Sequence, residues 1–243
     1  LIAAWGVEAA YAGYALLVGL NLLGLGFVRP LREIRERRAL SWQAVREGLA
    51  FVRGSPVVLG CMALDMFAVI LGGATALLPV YANEILRVGP RGYGLLTSSL
   101  EIGALVMSIF LLLRRPLERA GPALLLAVAV YGLATLGFGL SRSFPLSIAL
   151  YMLAGAADQV SVVLRQTAVQ LSTPDALRGR VSAVNMIFIA ASNQLGTVES
   201  GFLAAATSAT FAVVSGGIGC LLVVAWTAWK LPQLRSYRIH PVR

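Results

Sequence analysis

The sequence predicts an all-α, polytopic membrane protein, and three observations carry that prediction. Of 243 residues, 58% are hydrophobic and only 13% are charged, against about 45–50% and about 25% in soluble domains. Seven apolar stretches, near 2–28, 57–78, 92–113, 122–141, 145–170, 182–205 and 209–230, each reach the roughly 20 residues that a membrane-crossing helix needs. The Lys and Arg residues gather in alternate connections, as they do where positive charge stays on the cytoplasmic side. Long apolar runs without the ten-residue alternation of a barrel are helices, because a lone segment in lipid must satisfy its own backbone hydrogen bonds.

The first stretch, 2–28, opens on Leu1 without an initiator Met or a basic region ahead of it. No cleavable signal peptide is read there, and the sequence is expected to be the later part of a longer protein. Arg29, Arg32, Arg35, Arg37, Arg38, Arg46 and Arg53 follow this span, and three further basic groups fall on the same side. They are Arg114, Arg115 and Arg119, then Arg178 and Arg180, then Lys230, Arg235, Arg238 and Arg243. The opposite connections hold Arg87, Arg91 and Arg142, and Arg165 lies inside the fifth span. The carboxyl terminus is therefore expected in the cytoplasm. The net charge of +9 reports orientation and not nucleic-acid binding, since no dense basic face exists.

Residues 29–56 form the one long charged connection. Within it Ser41 is placed to cap a helix whose Trp42, Val45, Leu49 and Val52 share a side, flanked by Arg46 and Arg53. That pattern predicts an amphipathic helix lying along the headgroups. The expected organisation is a span at 1–28, a central loop at 29–56, six spans over 57–230 and a cytoplasmic tail at 231–243.

The six later spans fall into two triples, as in transporters built from inverted repeats. The first members carry Asp65 and Asp158, the second members Glu101 and Glu199, and the third members, 122–141 and 209–230, have no interior charge, so they are expected to face lipid. An unpaired charge at mid-membrane costs about 2.5–3.5 kcal/mol. The interior acids must therefore be protonated, paired or wet, which makes Asp65, Glu101 and Asp158 proton-coupling candidates. Asp158 and Arg165 are seven apart, share a helix face and are read as partners across about 10 Å of rise. Ser161, Gln159, Gln166 and Gln170 add polarity to that span. Asn185, Ser192 and Glu199 repeat every seven residues on the sixth span, and Thr97, Glu101 and Ser108 form a similar stripe on the third. Both stripes are expected to line a shared polar cavity. Gly72 and Gly73 break the second span and are the hinge candidates, whereas Gly216, Gly217 and Gly219 suit close packing.

Several chemistries lack their residues. Lys230 has no phosphate loop before it, and His240 stands alone in the tail, so neither ATP hydrolysis, a zinc site nor a His-based triad is expected. Cys61 and Cys220 read as small apolar groups inside spans. No catalytic residue, metal or cofactor is assigned. A transporter, a seven-helix receptor and the permease part of an ATP-driven pump all fit the spans, although the external loops are short for a receptor site.

The connection Thr173-Pro174-Asp175-Ala176-Leu177-Arg178-Gly179-Arg180-Val181-Ser182-Ala183-Val184-Asn185 resembles the major facilitator superfamily. So do Gly155-Ala156-Ala157-Asp158 before it, Ser192-Asn193-Gln194-Leu195-Gly196 and Glu199-Ser200-Gly201 after it, and Phe67 to Pro79 and Arg114-Arg115-Pro116-Leu117 upstream. The similarity is to the enterobactin-exporter-like branch. The resemblance implies helix six, a central loop and the second six-helix half of a twelve-helix secondary transporter, whose amino-terminal half is missing here. It implies proton-coupled export of a small siderophore-like or drug-like molecule across the inner membrane. Asp175, Arg178, Gly179 and Arg180 would then form a cytoplasmic gate that pairs across the two halves.

Overall fold

The computed structural model describes residues 2–27, 42–114 and 117–239. Among these the chain is helical, with no strand. Residues 1–40 and 41–243 form separate units. The first contains α1 (Ile2–Gly26), whose 25 residues match the predicted first span. The second contains α2 (Trp42–Gly54) followed by six segments long and apolar enough to cross a membrane. Ser41 lies outside the described residues.

The first of the six, Pro56–Ile85, is not one regular helix. It runs as α3 (Pro56–Leu71), breaks at Gly72-Gly73, and continues as a 3-10 turn (Ala74–Leu77), the short α4 (Leu78–Val80) and a π turn (Tyr81–Ile85). The predicted end at 78 is overrun because Pro79 sits in the first turn of α4, where a missing N–H costs nothing. The others are α5 (Gly89–Leu113), α6 (Ala120–Leu140), α7 (Phe144–Ser172), α8 (Asp175–Ala206) and α9 (Ala209–Lys230). A proline in the first turn starts α3, α5 and α7. Ser208 caps α9, its hydroxyl accepting from the Phe211 N–H at 3.1 Å.

Lipid tails remove most of the hydrophobic drive between helices, so small residues that let backbones approach have to hold the bundle. The α5/α7 contact is reciprocal: a Cβ on Gly103 would strike the Met152 carbonyl, and one on Gly155 the Leu100 carbonyl. α6 and α9 meet the same way, through Gly132 and Gly217. On α8, Gly196 admits α3, with a Cβ there falling 2.7 Å from the Val69 carbonyl oxygen.

Half of the apolar window of α6 is buried, against 17% for α5 and 22% for α8; α6 packs on α7 and α9 and leaves Leu126, Leu133 and Leu140 exposed. Two expectations change. The amphipathic α2 lays its apolar side on protein: Val52 is fully buried, Val45 and Leu49 join the same core, and Gly48 packs against the Arg180 backbone. Trp42, Gln43, Arg46, Ala50 and Arg53 face outward. Finally, the tail is built into the fold as far as Ile239. The short α10 (Pro232–Arg235) buries Leu234 beside Gly60, Tyr237 O accepts from the Gly121 N–H at 3.0 Å, and the Ile239 N–H donates to Glu118 O at 2.9 Å.

Two apolar clusters fill the bundle. One joins Val58, Cys61, Leu64, Leu164, Val181 and Cys220 at the α2 end. The other stacks Tyr81, Phe138 and Tyr151 at the far end, with ring centroids 4.7 and 5.0 Å apart. A polar layer separates them.

Candidate functional site: a polar cavity at the broken helix

The polar layer encloses a cavity of about 220 Å³. Asp65 on α3, the Gly72-Gly73 break with Thr75, Tyr131 on α6, Asp158 and Ser161 on α7, and Asn193 and Thr197 on α8 line it. Irregular backbone at membrane depth survives only where protein or water satisfies it. Here the Tyr131 hydroxyl donates to Gly72 O at 3.1 Å, and the Thr75 and Tyr151 hydroxyls pair at 3.0 Å. The glycines are also required sterically. A Cβ on Gly72 would lie 2.8 Å from Tyr131 Cε1, and one on Gly73 would strike Ser200 and lie 2.9 Å from Gly196 O.

Arg165 does not pair with Asp158. It forms an ion pair with Asp65 on α3, because a carboxylate one helix away lies closer than one roughly 10 Å along the same helix. The arginine is 4% exposed, and its Nε has no hydrogen-bond partner among the described residues. Asp158 opens to the cavity and belongs to no ion pair among the described residues. Glu101 is exposed on α5 and does not line the cavity. The structure therefore brings Asp65 and Asp158 together in one cavity wall, with Arg165 paired to Asp65 behind it.

The α8 stripe faces elsewhere. Ser192 is 1% exposed and returns its hydroxyl to Phe188 O at 2.6 Å, Asn185 is half-buried, and Glu199 accepts from Ser200 Oγ at 3.3 Å. None of the three lines the cavity. Ser192, Gly196 and Ser200 are instead buried, at the four-residue spacing of a packing seam; Gly196 meets α3 and Ser200 meets the break at Gly73. Asn193 and Thr197, one step round the helix, are the cavity residues; they donate to Ile189 O at 3.0 Å and Asn193 O at 2.9 Å. On α5, Thr97 and Ser108 likewise donate to carbonyls of their own helix.

At the start of α8, Arg178 pairs with Asp175 in the same turn at 2.6 Å. Arg180 pairs with Glu47 of α2, a partner that spacing within the motif does not reveal. A Cβ on Gly179 would meet nothing within 4 Å. No group of three or more His, Cys, Asp or Glu is placed to hold a metal ion among the described residues.

The family model described as "transmembrane secretion effector", a branch of the major facilitator superfamily, matches residues 1–242. The chain belongs to this family. Among curated proteins, the chain is similar to the enterobactin exporter EntS of Escherichia coli O139:H28 (strain E24377A / ETEC) and that of Shigella boydii serotype 18 (strain CDC 3083-94 / BS512). Each is 27% identical over 240 residues, covering 98% of this chain and 56% of the relative. The chain thus spans about half the length of the curated relatives it matches. No solved structure matches it. It is a multi-pass membrane protein of a transporter family.

Proposed function

We propose that the chain supplies the six-helix transport half, with one further helix and the linker, of a secondary active exporter. It moves a small amphipathic molecule by alternating access in exchange for protons. The observation that carries this reading is the acid-lined cavity beside a broken helix, midway between two dry apolar clusters. A discontinuous helix at a mid-bundle polar site is how transporters bind a substrate and change shape around it, and a carboxylate within a span that opens to a polar cavity is suited to carry a proton. The carboxyl terminus lies in the cytoplasm in this reading, with sixteen of the 20 basic residues on that side, and the membrane is the inner one. Asp175, Arg178 and Arg180 brace the cytoplasmic end, Arg180 through Glu47.

The test uses the protein as its gene encodes it, reconstituted in proteoliposomes under an imposed proton gradient. Asp65→Asn, Glu101→Gln and Asp158→Asn are compared one at a time, and at least one abolishes substrate-dependent proton flux while leaving insertion normal. Coupled flux retained in all three rejects proton exchange through this cavity.

A further inference from the structure

At the α2 end of the bundle, a face that suits lipid meets a group of unpaired basic residues. The exposed side chains of α6 are Pro122, Leu126, Leu133 and Leu140, and those of α9 before Lys230 are also all apolar. α5 and α8 instead expose polar groups such as Thr97, Glu101, Asn193 and Gln194. The outer side of α6 and α9 is therefore the one that acyl chains can cover without stranding a polar side chain. α9 has 22 residues and is about 33 Å long, so its last turns reach the edge of a hydrocarbon layer roughly 30 Å thick. Trp226 and Trp229 stand there, 50% and 74% exposed, where an aromatic belt meets the headgroups. Lys230 Nζ lies 4.4 Å from the centre of the Trp229 ring.

Beyond that edge the tail folds back on the start of α6. The Gly121 N–H donates to Tyr237 O and the Ile239 N–H to Glu118 O, at 3.0 and 2.9 Å. The two stretches thus run antiparallel and set Arg119 against Arg238, and like charges placed opposite one another repel. Arg235 closes α10 just before them. Arg119, Lys230, Arg235 and Arg238 are all exposed, and none joins an ion pair among the described residues. Glu118 is the one acid within 117–121 and 226–239. Four basic residues where helices leave the membrane attract an acidic headgroup, and arginine grips phosphate through two parallel N–H bonds.

We propose that this corner of α6, α9 and α10 holds an anionic phospholipid, its phosphate between Arg119, Arg235 and Arg238 and its acyl chains along Trp226 and Leu222. The apolar side chains select a lipid over a dissolved phosphate, which would leave both tryptophans uncovered. The assignment is separate from the export reading, since it needs neither the cavity nor proton exchange.

The experiment titrates the full-length protein in uncharged detergent micelles with brominated phosphatidylglycerol or brominated phosphatidylcholine. It reads the quenching of Trp226 and Trp229 as the difference between the parent and Trp226→Phe/Trp229→Phe. Phosphatidylglycerol quenches at a concentration at least tenfold lower than phosphatidylcholine, and excess glycerol 3-phosphate does not reverse it. Arg119→Gln/Arg235→Gln/Arg238→Gln abolishes the preference, Arg119→Lys/Arg235→Lys/Arg238→Lys retains it, and Arg87→Gln/Arg91→Gln, exposed at the opposite end, leaves it unchanged. Equal quenching by the two lipids in the parent, or a preference that survives the triple Gln variant, overturns the assignment. Reversal by glycerol 3-phosphate overturns it in favour of a dissolved phosphate. Quenching by neither lipid means that protein covers this corner, and overturns it as well.

Discussion

Replacing Asp65 by Asn strands the Arg165 guanidinium inside the helix bundle. The side chains of the pair are 5% and 12% exposed, and removing one partner of such a pair costs about 3–5 kcal/mol, because the remaining charge is left without compensation. At about 1.4 kcal/mol per decade, that lowers the folding constant by roughly two to three and a half powers of ten. The two single variants are not equivalent. Arginine cannot shed its proton, and its Nε already has no hydrogen-bond partner among the described residues, so Asp65→Asn belongs at the upper end. Arg165→Met leaves Asp65 on the cavity wall, where water or a proton relieves it, and belongs at the lower end. Replacing both, Asp65→Leu with Arg165→Met, removes both desolvation costs and leaves stability near that of the parent or about 1–4 kcal/mol above it. The measurement is unfolding in mixed micelles of rising SDS fraction, followed by far-UV circular dichroism. A loss below about 1 kcal/mol for Asp65→Asn, or single losses that simply add in the double variant, would refute a tightly coupled buried pair.

Two further outcomes follow from packing. Gly103→Ala, which pushes a methyl group onto the Met152 carbonyl, costs about 1–3 kcal/mol as α5 and α7 separate; Gly94→Ala, with nothing within 4 Å of the new Cβ, gains up to about 1 kcal/mol, and equal effects in thermal melts would contradict the close crossing. For α2, Glu47→Gln changes stability by no more than about 1 kcal/mol because its pair with Arg180 is 40% and 24% exposed, whereas Gly48→Leu, 3.0 Å from the Arg180 carbonyl, releases α2 to limited proteolysis; the reverse ranking would mean that charge, not packing, fastens this helix.

The spans were legible because an apolar run of sufficient length has few alternatives in lipid. What covers a face was not legible. The 3.6-residue period identified the apolar side of α2 and could not tell a headgroup from α8. Heptad spacing correctly put Asn185, Ser192 and Glu199 on one stripe, but the stripe's destination was decided by Gly196, the residue that lets α3 in. Arg165 found its carboxylate on another helix, where sequence distance carries no information. Of the cavity, Asp65 and Asp158 could be read, since an acid deep in an apolar run is costly enough to need a reason. Asn193, Thr197, Thr75 and Tyr131 could not, because a hydroxyl or amide bonded to its own helix is ordinary anywhere in a bundle.

The segment from Pro232 to Ile239 is synthesised after the six spans it braces. Until it emerges, Gly60 and Gly121 lack the residues that cover them, and the Gly121 N–H and Glu118 carbonyl lack their partners. The bundle therefore has an order of assembly written into it: helices insert first, and the α2 end is sealed only when residues 232–239 are added.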